Sequence, residues 1–189
     1  MTKFTLSTDS SCDELKNNLK KVDIHYIPLV YIYNDEAFED NFTTQEEYQF
    51  FYNEEKQSKF FTTAGLNPAM LEEYFENLLK EHKMDVVHVS LSSGISGSFD
   101  IAQTVVQRLN EKNENKIYLI DSKSATSGTK LVLNLARKCR DDEMTAKATA
   151  DFVNEKIKSM TTNFFVCDLD HLRRGGRLSS FQAVIGKML

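Results

Sequence analysis

The stretch "MDVVHVSLSSGISGSF", residues 84–99, sets the architecture. "DVVHVSL" is a short run rich in β-branched residues, the pattern of a strand buried on both faces. It runs into Ser90, Ser92, Ser93, Ser96 and Ser98, with Gly94 and Gly97 among them, and a helix is predicted from about Ser98 to Leu109. A core does not need such a loop. Hydroxyls and backbone N–H groups at a helix N-terminus can receive an anion, and glycine lets the main chain approach it. The same letters also describe a plain helix cap, with Ser96 or Ser98 capping and the glycines shaping the turn.

Outward from this unit, strands and helices alternate. "KFTLS" is a predicted strand running into a polar loop, Thr8 to Ser11, and Asp13-Glu14-Leu15 opens a helix. "VDIHYIPLVYIY" has the composition of a strand, and Pro28 inside it argues for an edge or a break. Thr43 or Thr44 is an N-cap for the segment "QEEYQFFYNEEKQ", whose stripe of Tyr48, Phe51 and Tyr52 belongs to a packed helix face. "TTAG", residues 62–65, reads as a threonine–glycine loop before a helix begun by Asn67 and Pro68. "KIYLIDS" and "TNFFVCDL" are further strands, and "GTKLVLNLARKCR" and "TAKATADFVNEKIKSM" further helices. This order implies βαβ units, an α/β fold with a mainly parallel sheet and helices on both faces. Ligands of such sheets bind beyond the carboxyl ends of the strands. Four of those ends carry small polar residues: Thr8–Ser11, Thr62–Thr63, Ser92–Ser96 and Ser122–Ser127.

The 189 residues suit one domain or one domain plus part of a second, with 41% hydrophobic residues for a core. A net charge of -5 with interspersed signs argues against a nucleic-acid partner. No apolar run reaches the length of a membrane span, and the N-terminus lacks a signal-peptide core, so the expectation is a cytoplasmic protein. Cys12, Cys139 and Cys167 are far apart and fit reduced thiols; with His25, His82, His88 and His171 equally scattered, no metal site is expected. The loop contains no GxSxG elbow, P-loop or dinucleotide fingerprint. Asp9, Asp121 and Asp168 follow strands and could serve as acids or metal ligands, although turn capping is their commoner role. "RRGGR", residues 173–177, is a basic glycine turn able to meet a phosphate or a partner protein.

"STDSSCDE", "IPL", "LSSGISGSF", "IDSKSATSG" and "LRRGGRLSS" occur in this order over essentially the whole chain. Together they resemble the DegV family of bacterial fatty-acid-binding proteins. The resemblance implies a carrier, not an enzyme, with no cofactor: one long-chain fatty acid lies between an N-terminal α/β domain and a second domain. A separate fatty acid kinase subunit would phosphorylate the bound carboxylate for phospholipid synthesis. It maps the carboxylate contacts to Thr63 and Ser93, with Thr62, Ser92 and Ser96 as neighbours, and leaves Arg173, Arg174 and Arg177 as a docking surface for the kinase. A head-group-binding domain is then expected over residues 1–150 and the beginning of an incomplete second α/β domain over 151–189. Two departures stand out. The family's Thr-Ser-Gln is Thr63-Ala64-Gly65 here, and the chain stops at "AVIGKML" where relatives continue, which suggests truncation. The rival reading is a small-molecule enzyme on an α/β scaffold, using the Ser/Gly loop as a phosphate cradle and the three arginines as a clamp.

Overall fold

The computed structural model describes residues 3–57 and 61–163. Four parallel strands form the main sheet, in the order β2-β1-β6-β7: β1 is Thr5–Asp9, β2 Ile24–Ile27, β6 Val86–Ser90 and β7 Ile117–Asp121. Alternation along the strands divides the apolar side chains between two cores. Leu6, Val87, Val89 and Ile120 face α1 (Lys16–Lys21), α5 (Ser127–Asp141) and α6 (Ala146–Ile157), where Leu19, Val132, Leu133, Ala136 and Val153 complete one cluster. Ile27, Val86 and Ile117 face α3 (Pro68–His82) and α4 (Ser98–Lys112), packed by Leu71, Phe75, Leu78, Val105 and Leu109. Burying side chains of this size contributes about 1.5–3 kcal/mol each, which fixes the register of every βα unit.

The sheet is therefore parallel with helices on both faces, as the alternation predicts. A second, antiparallel sheet was not legible: β3 (Val30–Tyr33) lies between β4 (Glu36–Glu39) and β5 (Thr62–Ala64). Pro28 breaks the "VDIHYIPLVYIY" run into β2 and β3, one strand in each sheet. α2 (Gln45–Gln57) starts at a capping box in which Glu47 N–H donates to Thr44 Oγ1 and Thr44 N–H to Glu47 Oε2. Its Phe51 ring packs against Tyr31 and Phe61, at 4.9 and 5.1 Å between centroids.

Two expectations change. Residues 62–64 form a strand, not a loop. Asp13 does not open a helix: it takes the left-handed conformation (φ 50°) after a 3₁₀ turn at Ser10–Cys12, so α1 begins at Lys16. α6 runs over Ala146–Ile157, and its Val153 and Ile157 pack into the first core. The predicted strand "TNFFVCDL" falls mostly, and the remainder of residues 164–189 wholly, outside the described residues.

Candidate functional site

The loop after β6 occupies the centre of the carboxyl edge, because β6 lies between β1 and β7. Those neighbours end in Asp9 and Asp121, and the two carboxylates hold the loop from opposite sides. Asp9 is fully buried and accepts from Ser90 Oγ at 3.1 Å and Leu91 N at 2.8 Å. It also accepts from Ser11 N and Ser11 Oγ of its own turn. Asp121 Oδ1 accepts from Ser93 N at 3.2 Å and Lys123 N at 3.0 Å, and its Oδ2 pairs with Lys123 Nζ at 2.6 Å. Burial raises the Asp121 pKa, but hydrogen bonds from Lys123 and Ser93 outweigh it and hold the carboxyl below its usual range. Both aspartates sit at strand ends in the capping role that the sequence favours: each caps its own turn, at Ser11 and at Lys123, and each also holds the loop after the neighbouring strand.

The main chain of the loop is almost entirely committed. Ser92 N donates to Ser124 O, Gly94 N to Ser92 Oγ, and Ile95 N and Ser96 N to Ser92 O. Ser98 N donates to Ser96 Oγ. With Leu91 and Ser93 bonded to the two aspartates, the N–H groups of residues 91–96 and 98 all have internal acceptors. A phosphate cradle needs such groups bare. The geometry therefore does not support the phosphate-cradle variant of the site, and two fixed carboxylates beside the loop also disfavour a dianion. Gly94 packs closely: a Cβ there would lie 3.3 Å from Ser92 Oγ, which would have to give way by a few tenths of an ångström.

The candidate hydroxyls then separate. Ser92 is buried and its Oγ closes the turn onto Gly94. Ser96 donates to Ser98 Oγ, which in turn accepts from Leu66 N at 3.3 Å. Ser93 is half-buried and its Oγ accepts from Lys123 Nζ at 3.0 Å, so its own proton remains to be donated to a ligand. Thr62 and Thr63 are exposed on β5, opposite Ile32 and Tyr31 of β3. Adjacent strand residues point to opposite faces, so the two threonines cannot serve one ligand oxygen together. Thr63 shares its row with Tyr31 and Phe38. Beyond it, a Cβ on Gly65 would touch Ile101 and Ser98, and Leu66 is fastened to Ser98. The first turn of α4 thus joins the threonine segment to the serine loop.

The remaining polar strand ends face inward. Thr8 Oγ1 donates to Val89 O at 2.9 Å, and Ser10 Oγ accepts from Leu29 N. Ser122 donates to Ser124 O, and Ser124 Oγ lies 3.0 Å from Thr162 Oγ1. A Cβ at position 128 would lie 1.7 Å from Ser124 Oγ, so Gly128 is obligatory for this packing. Among the described residues, no group of three or more His, Cys, Asp or Glu side chains is placed to hold a metal. Cys12 and Cys139 are buried and free, and burial pushes the Cys12 thiol up to about 12. His25 and His82, distant in sequence, meet edge to face at 4.5 Å. His88 packs in the core, with Nδ1 2.8 Å from Ser7 Oγ. Cys167, Asp168, His171, Arg173, Arg174 and Arg177 lie outside the described residues. An open cleft of about 270 Å³ lies elsewhere, between β2 and α3, lined by Lys16, Tyr26, Glu39, Glu73, Tyr74 and Asn77 among others. It contains none of the candidate hydroxyls. No described helix is long and apolar enough to cross a membrane.

Comparison with known proteins bears on this arrangement. A family model described as "Uncharacterised protein, DegV family" matches residues 3–189. A DegV domain-containing protein of Clostridium perfringens is 30% identical over 100% of this chain and 65% of its own length. The crystal structure of DegV from Bacillus subtilis, described as a fatty acid binding protein, superposes with a TM-score of 0.78 at 27% identity, over 98% of this chain and 64% of that one. A Ruminococcus gnavus DegV-family structure described with vaccenic acid gives 0.77 at 25% identity, over 94% of this chain and 63% of that one. The chain therefore spans slightly less than two thirds of the length of these relatives.

Proposed function

The chain belongs to the DegV family, and from that premise we propose that it binds a long-chain fatty acid, with Ser93 and Thr63 donating to the carboxylate. The observation that carries the reading is the state of Ser93. Its N–H is fixed by Asp121 and its Oγ accepts from Lys123, so the hydroxyl enters the site as a donor. Charge-assisted hydrogen bonds to a carboxylate are about twice as strong as neutral ones. Burying the tail would contribute about 0.8 kcal/mol per CH₂. The fatty acid binding described for the Bacillus subtilis protein supports the same ligand class. Thr62, on the other face of β5, has the weaker claim; Ser92 and Ser96 hold the loop in shape around Ser93. In this reading the protein is a carrier without catalysis of its own or a cofactor. It works in the cytoplasm and presents the carboxylate to a separate kinase subunit for phospholipid synthesis, with Arg173, Arg174 and Arg177 as the docking surface.

Native mass spectrometry and lipid extraction of the purified protein test the ligand, and a fatty acid is the expected finding. Ser93→Ala and Thr63→Val should each weaken its binding, by roughly 1–3 kcal/mol if the bound carboxylate thereby loses a buried partner. A protein free of lipid that binds sugar or nucleotide phosphates would overturn the reading. Unchanged affinity in both variants would overturn the site assignment.

A further inference from the structure

The connection that follows β7 brings a cation to the serine loop. Lys123 Nζ lies 2.6 Å from Asp121 Oδ2 and 3.0 Å from Ser93 Oγ. An exposed lysine–aspartate pair is ordinarily worth little. This one is built differently in three respects. Asp121 is nearly buried, its side chain 11% exposed, and holds both the N–H of Lys123 and the N–H of Ser93 on one oxygen. The Lys123 backbone is in the left-handed region, φ 51°, which is unfavourable for a residue with a Cβ and returns the side chain toward the strand end it has just left. The ammonium is also shared with a hydroxyl on another loop. It has three N–H donors, of which Asp121 and Ser93 take two. The side chain is 62% exposed, so the third is open to the solvent face of the loop.

An ammonium only donates, so Ser93 Oγ meets it as an acceptor and the Ser93 hydroxyl proton is turned away from Lys123. We propose that Lys123 is the positioning residue of the head-group site: it sets the Ser93 hydroxyl as a donor and presents its own free N–H to the same ionised ligand oxygens. Asp121 holds the ammonium in place when the site is empty. The preference this creates is for an ionised head group over a neutral one on the same chain. The inference rests on the fatty-acid reading above and adds the source of its selectivity.

The test compares a C18 fatty acid with the fatty alcohol of the same chain, on wild type, Lys123→Met, Lys123→Arg and the Ser93→Ala/Lys123→Met pair. Lys123→Met should weaken the acid by roughly tenfold to a hundredfold, the range for a lost charge-assisted hydrogen bond, and leave the alcohol unchanged. Lys123→Arg should restore most of the preference. In the Ser93→Ala background, Lys123→Met should cost markedly less than in wild type, because part of its effect acts through that hydroxyl. An acid-to-alcohol ratio unchanged by Lys123→Met overturns the inference, as does equal weakening of both ligands, which marks a merely structural role. Wild type that binds neither ligand refutes the fatty-acid reading itself, a separate and earlier failure.

Discussion

The two carboxylates that flank the serine loop do opposite work. Asp9, at the end of β1, is sealed: it is fully buried and four donors converge on it, from Ser11 twice, Ser90 and Leu91. Asp121, at the end of β7, is nearly buried too, but its second oxygen faces an ammonium on a side chain that is mostly in water. Both residues end a strand beside β6 and both bind an N–H of the same loop. The exposure of their partners separates them. A sealed carboxylate fixes the loop to the core, because removing it strands buried donors; one paired to an exposed cation leaves that cation able to exchange with a ligand. The site is rigid on the β1 side and responsive on the β7 side.

Substitution of the acids should separate the two corners most clearly. Asp9→Ala should destabilise the fold by about 2–4 kcal/mol, the scale of several buried donors left unsatisfied. Asp121→Asn, which keeps an acceptor and lies beside an exposed cation, should cost about 1 kcal/mol or less. Urea unfolding of both variants checks this, and equal losses would erase the distinction. The fatty acid affinity should show the reverse ranking when compared at full folding.

A second probe lies behind the sealed corner. His88 is buried in β6 against Phe75 and bonded to Ser7, and burial pushes its pKa down to about 4. In the unfolded chain the imidazole titrates near 6.5, so between these values the unfolded state binds the extra proton. The stability it supports is complete above pH 6.5 and is lost as pH falls toward 4, by on the order of 2–3 kcal/mol. Stability measured from pH 7.5 to 4 should show this acid limb. His88→Gln lowers the overall level but should flatten the limb; a limb of wild-type steepness in the variant would exclude His88 as its origin.

The parallel half of the fold was legible because its signals are local. "DVVHVSL" and "KIYLIDS" carry β-branched residues, and Asn67-Pro68 starts α3. The antiparallel sheet was not, because β4 is exposed along its whole length and β5 has three residues, so neither carries a burial pattern. Their pairing is fixed by β3 and by the rings of Tyr31, Phe38 and Phe61. For the site, sequence placed the polar strand ends together but could not orient hydroxyls. Thr8, Ser10, Ser122 and Ser124 turn inward because acceptors or donors 2 to 81 residues away meet them there. Lys123 was visible within "IDSKSATSG", yet its left-handed backbone and its reach to Ser93 are properties of the folded loop.

The smallest effect has the opposite sign to that of His88 and lies over nearly the same pH range. Asp13 follows the Asp9 turn; burial first, then the neighbouring Asp40, raises its pKa to about 6 against the opposing pull of Lys130. Its folded pKa exceeds the 3.8 of the free group, so between these values the folded state binds the extra proton. Stability from this group therefore declines as pH rises from about 4 to 6 and stays reduced above that. Asp13 is more than a third exposed, and solvent screening holds the loss to about 1 kcal/mol or less. Asp13→Asn removes the charge and keeps a residue that tolerates φ 50°. The variant should equal wild type near pH 4 and exceed it slightly at pH 7.5, read as a shift in urea midpoint. Any benefit of asparagine to the left-handed turn is independent of pH, so a gain of the same size at both pH values would assign the effect to the backbone and remove Asp13 from the electrostatics of the sealed corner.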